Sequence, residues 1–208
     1  MSLKLKRKQR TQIPPLEADT YIATCVGIID LGEQYNERYK KYEDKIMLIF
    51  EIDGETIEQD GEQKPRWLSK ECTASTGEKS NMYKYITAFY GQVSEDDLED
   101  FNTLELLGKS AMMEILVKEH SSKQGVMYNA INNVTKLPKK TKPPTPESDI
   151  VHLDFDDWND EMFESLPEWI RDKVRNSPTF QKMFDKTDKV EFIDTEEDEP
   201  ELPDDADF

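Results

Sequence analysis

Apolar residues recur along the first two thirds of the chain with two different periods. Thr20–Ile29 (TYIATCVGII) is a β-branched run that is apolar on both faces, and Ala23, Cys25 and Gly27 make one face small enough for a sharp bend. In Lys45–Ile52, Ile46, Leu48, Phe50 and Ile52 alternate with other residues, as one face of a half-buried strand does. Asp53-Gly54 and Asp60-Gly61 are turn signals, and Glu55–Pro65 reads as a charged hairpin tip leading to a third strand over Trp67–Ala74. The period then changes. Met82, Ile86 and Phe89, with Tyr85 alongside, form the stripe of an amphipathic helix that Gly91 closes, and Ser94 opens a short second helix. Ser110–Lys118 and Val126–Val134 return to strand and form a hairpin through Gly125.

Three strands, a helix and two strands is the element order of the OB-fold, a five-stranded Greek-key barrel. The expected fold class is therefore mainly β: a barrel over residues 17–138, with a helix between strands 3 and 4 plugging one end. Residues 139–149 sit within a Pro-rich linker, LPKKTKPPTPES. Residues 150–193 read as an acidic segment with two short helices, each with a proline at its start (Pro167, Pro178), and 194–208 as a disordered acidic tail. Leu166–Phe184 is also a candidate segment that folds only on meeting a polymerase, helicase or recombinase.

Charge divides the chain further. Residues 1–146 carry 21 Lys+Arg against 23 Asp+Glu, whereas residues 147–208 carry 6 against 22. Residues 1–16 form an arm whose Lys4, Lys6, Arg7, Lys8 and Arg10 precede any acid. A basic arm, a near-neutral domain and an acidic end imply charged partners. The arm lacks the apolar core of a secretory signal and no run is long enough to span a membrane, so a cytoplasmic protein is expected, in the host cytoplasm if phage-encoded. Cys25 and Cys72 fall inside strand-like runs, without a CxxC motif, and are expected as reduced core residues.

The strongest local signal for nucleic acid is interleaving of rings and cations. Tyr35, Arg38, Tyr39, Lys40, Lys41, Tyr42 and Lys45 fall within eleven residues. Aromatic platforms and a cationic groove are what single strands need, because every base has a face to stack. Arg66 and Trp67 at the start of strand 3, and Lys118, Lys123 and Tyr128 around the last hairpin, complete the candidate set. Trp67 suits either core or platform, and a Tyr/Lys-rich loop also suits a plain solvated surface.

Catalytic signatures are missing. His120 and His152 have no neighbouring Cys or second His, Asp154–Asp160 departs from calcium-loop spacing at Trp158, and no phosphate loop, dinucleotide fingerprint or GxSxG occurs. A non-enzyme without metal or cofactor is expected.

The runs YIATCVGIIDLG, KIMLIFEI, SKECTASTGEKSNMYKYITAFYG, LELLGKSAMMEILV and YNAINNVTKLP resemble a group of bacteriophage replication proteins regarded as single-stranded DNA-binding proteins or their relatives. The end, EEDEPELPDDADF, resembles the acidic, aromatic-terminated tip of bacterial and phage single-stranded DNA-binding proteins, although Ala206-Asp207 stands where the bacterial tip has Pro before its Phe. The resemblance implies sequence-independent coating of single-stranded DNA in replication and recombination, a possible homo-oligomer, and recruitment of partner proteins through Asp204, Asp205, Asp207 and Phe208. The tail would also compete with DNA for the groove. The alternative is an acidic adaptor or nucleic-acid mimic working through residues 147–208.

Overall fold

The computed structural model describes residues 13–59, 61–121 and 124–187, with side chains placed through residue 184. The basic arm up to Gln12, Lys123 and the acidic tip lie outside the described residues. The protein is mainly β. Six strands form one sheet: β1 (Asp19–Asn36), β2 (Lys41–Gln59), β3 (Glu62–Thr73), β4 (Ser110–Glu119), β5 (Met127–Lys136) and β6 (Val151–Leu153). The order is β3-β2-β1-β4-β5, antiparallel throughout, and β6 runs parallel to β1. Between β3 and β4 lie the expected helix α1 (Asn81–Tyr90), the short α2 (Glu95–Glu99) and a 3₁₀ turn at Thr103–Leu106. Ser80 caps α1 by accepting the Tyr83 amide at 3.0 Å, and Gly91 ends it at φ 86°.

β1 is long enough to serve two neighbours on one edge. Asp19–Thr24 pair with β4, and Gly27–Ile29 pair with β6. The handover coincides with a register shift between Cys25 and Gly27 against β2. There the Cβ of any other residue at Gly27 would stand 3.0 Å from Ile49 Cβ. The bulge also changes which residues face which side. Ala23, Cys25 and Ile28 enter one core, while Val26, Ile29 and Leu31 enter a second on the opposite face.

The first core holds the alternating set read from the sequence. Leu48, Phe50 and Ile52 are buried with Met82, Tyr85 and Ile86 of α1, and Phe50 stacks on Tyr85 at 5.3 Å between ring centroids. Cys25 and Cys72 lie here as free thiols, and burial pushes both up to about 12, so neither is a nucleophile near neutral pH.

No ladder joins β3 to β5 among the described residues, so the sheet is open. Side chains span the gap. Asn129 on β5 accepts the Leu16 amide at 2.8 Å and donates back to the Leu16 carbonyl at 3.0 Å, imitating a strand pair. Arg66 on β3 reaches the same Asn129 oxygen at 3.3 Å. At the other end, Lys136 on β5 donates to the Tyr90 carbonyl of α1 at 3.5 Å.

The second core is the main departure from the sequence reading. Three helices follow β6: α3 (Asp160–Ser165), α4 (Glu168–Arg175) and α5 (Pro178–Thr187). Leu153, Phe163, Leu166, Ile170 and Val174 pack on Val26, Ile29, Leu31, Met47 and Ile49. The short helices thus fold on their own sheet. Gly32, at φ 65°, lets α5 sit down directly, since a Cβ there would lie 2.7 Å from Thr179. Thr179 Oγ1 accepts the Glu33 amide at 2.9 Å.

The Pro-rich stretch is not a free spacer either. The Glu51 carboxylate, 7% exposed, accepts the backbone amides of Glu147 and Ser148, each at 2.8 Å. Trp67 Nε1 donates to Ser148 Oγ at 2.7 Å. Glu51→Ala strands two amides beside the sheet and should lower unfolding free energy by about 1–3 kcal/mol. Denaturant unfolding reads the loss, and faster hydrogen exchange at the Glu147 and Ser148 amides locates it. Unchanged exchange at both positions would contradict the clasp.

Candidate nucleic-acid interface

The connection between the first two strands is mostly not a loop. β1 and β2 extend as a ribbon through Tyr35↔Tyr42 to Asn36↔Lys41, leaving only Glu37–Lys40 as the turn. Asn36 organises it. Its side-chain oxygen accepts the amides of Arg38 at 3.1 Å and Tyr39 at 3.4 Å, and its side-chain amide donates to Glu43 at 2.7 Å. Lys40 takes the left-handed conformation, φ 52°, that completes the turn.

This construction displays three rings. Tyr35, Tyr39 and Tyr42 are 51%, 59% and 55% exposed, although a ring of this size usually gains by burial. Tyr35 and Tyr42 face each other across the ribbon, edge to face, with centroids 5.3 Å apart. The Arg38 guanidinium stands 5.5 Å from the centre of the Tyr39 ring.

The cations of the ribbon are not equivalent. Glu43 holds Lys45 at 2.9 Å and Lys41 at 3.1 Å, and Lys45 also donates to Thr73 at 2.7 Å. Among the described residues, Arg38 and Lys40 make no ion pair. Hydrogen bonds from Lys45, Asn36 and Lys41 pull the Glu43 carboxyl down to about 2 from an ordinary 4.5. A lowered carboxyl stabilises the fold in its charged form. These bonds therefore support the hairpin above pH 4.5, and the support is lost as pH falls towards about 2. An NMR titration of the Glu43 carboxyl carbon should show this low midpoint. A midpoint above 4 would contradict the network.

The remaining candidates fall elsewhere. Lys118 pairs with Tyr128 near the β4–β5 tip, where the His120 and Tyr128 rings are 6.0 Å apart and Tyr128 is 44% exposed. That tip projects past the start of β1, whereas the tyrosine ribbon is at its far end, so the two do not form one patch. Trp67 packs against the second core, on the side of β3 that the C-terminal layer covers. Arg66 is buried at the β3–β5 gap, 8% exposed. Asn129, Glu51 and Trp169 were not among the candidates. On α4, Ile170 and Val174, four residues apart, face the sheet, and Trp169 is 53% exposed.

No group of three or more His, Cys, Asp or Glu is gathered for a metal ion among the described residues. No helix among them is long and apolar enough to cross a membrane. No protein-family model matches the chain, and no curated protein matches it.

Proposed function

We propose that this chain binds single-stranded DNA without an enzymatic step, as an OB-type module of a phage replication or recombination system. One observation carries the reading: an ordered ribbon holds Tyr35, Tyr39 and Tyr42 in water beside Arg38 and Lys40. Rings displayed in this way can stack on bases of any identity, at roughly 1–3 kcal/mol per stacked base. The strand order β3-β2-β1-β4-β5 supports the OB-type assignment, with the β3–β5 gap spanned by Leu16, Arg66 and Asn129 instead of a ladder. Recruitment of replication or recombination proteins falls to Asp204, Asp205, Asp207 and Phe208.

The test is fluorescence anisotropy with labelled oligothymidine over a range of salt. Log K should fall against log[salt] with a slope of about −0.7 for each phosphate neutralised. Replacing Tyr35, Tyr39 and Tyr42 together by alanine should weaken binding at least about fivefold if even one base stacks there, by the stacking energies above. Equal affinity of the triple variant, or no binding by the unaltered protein in dilute buffer, would overturn the proposal. The adaptor alternative expects the latter.

A further inference from the structure

Arg66 is a buried cation without an adequate partner. Its Nε–H is buried and meets no acceptor, and its bond to Asn129 is the longer of two converging on one oxygen. A guanidinium carries five N–H donors. No carboxylate among the described residues lies within ion-pair distance of it. Burial pushes its pKa down, while the more distant Glu55 pulls it up.

The backbone opposite is irregular. Glu51 pairs with Trp67 and Thr56 with Pro65, so four residues of β2, Ile52–Glu55, oppose Arg66 alone. Such bulges bend a strand away from its neighbour and re-aim side chains. Two adjoining cavities open here, of about 1230 and 780 Å³, and Ile13, Ile57, Arg66 and Trp169 line both. Of the residues common to both, Trp169 and Ile13 are exposed and apolar, at 53% and 47%.

The lining selects the occupant. Among the described residues, the larger cavity carries Glu17, Glu55 and Glu58 against Arg66 as its one cation, which disfavours a phosphate inside. An apolar, flat body that offers paired acceptors to the guanidinium and donors to the acids fits better. Guanine has these features: O6 and N7 as acceptors, an amino group as donor, and a face for an indole.

We infer that the cleft between Arg66 and Trp169 is a guanine subsite, which gives the single-stranded DNA reading proposed above a base preference at one position. Arg66 donates to O6 and N7, and Trp169 stacks on the ring. The inference rests on that reading, and two measurements separate their fates. The first is anisotropy with octamers of thymidine in which one central residue is replaced in turn by dG, dA or dC. The dG octamer should bind roughly tenfold tighter than the others, the discrimination expected of a bidentate arginine contact. Arg66→Gln should bring the dG octamer to the affinity of the other three. Equal affinity for all octamers overturns the guanine subsite while leaving DNA binding in place. The second measurement needs no strand. With dGMP, but not dCMP, the indole N–H resonance of Trp169 should shift, and Trp169→Leu, a change at an exposed position, identifies that resonance. Absence of a dGMP-specific shift also overturns the subsite, even where Arg66→Gln fails to fold.

Discussion

Phe50→Ala should lower the unfolding free energy by about 3–5 kcal/mol, the usual cost of removing a buried aromatic ring. Phe50 has no exposure. Its ring stacks on Tyr85 at 5.3 Å and on Phe89 at 6.4 Å, so it joins the interior strand β2 to the only long helix between β3 and β4. Both partners lie on one face of a ten-residue helix, and without the ring that face meets a void. Collapse is hindered because β2 is hydrogen-bonded on both edges, to β1 and β3. Domains are stable by about 5–15 kcal/mol, so this one change removes a large share. Denaturant unfolding of the full chain reads the effect as a lower midpoint at unchanged slope. A loss below 1 kcal/mol would mean that the helix does not close the first core.

Cutting the chain after Pro138, at the boundary expected from composition, should yield a protein that aggregates or binds a hydrophobic dye. The cut uncovers Val26, Ile29, Leu31, Met47 and Ile49 together, all at most 2% exposed in the full chain. Burying five such side chains contributes on the order of 10 kcal/mol, an upper value because the unfolded chain already hides part of this area. The cut also removes β6, leaving Gly27–Ile29 as unpaired edge. A chain ending at residue 187 keeps the layer and should stay monodisperse with cooperative unfolding. Should the shorter chain prove equally soluble and equally stable, the C-terminal layer would be an appendage after all.

That second face was partly legible. Met47 and Ile49 alternate with Leu48 and Phe50, so β2 is apolar on both sides, the pattern of a strand covered twice. Thr20–Ile29 shows the same. The first core was identified by period alone, whereas the cover of the second was hidden by distance along the chain. Leu153 to Val174 are short apolar islands in an acidic stretch, and neither a three-residue strand nor helices of six to ten residues are stable alone. Arg66 reads from sequence as a surface cation at a strand start. Its burial depends on the bulge in β2 and on Asn129 from a strand more than sixty residues later. For the tyrosines the reverse holds: their spacing announced exposed rings, and only the ribbon register revealed that Glu43 neutralises two of the neighbouring lysines.

By itself the sequence determined the cores of the five long strands and the helix α1, that Leu48, Phe50 and Ile52 share a face with the stripe of α1, and that rings and cations gather between the first two strands. Those features depend on residues within a few positions of one another, where side-chain period and turn chemistry act directly. Only the tertiary structure decided that the sheet stays open, that residues 150–184 form its second layer, and which cations remain unpaired. Each of these depends on which distant groups come within hydrogen-bond or van der Waals reach, and a linear pattern does not encode that distance.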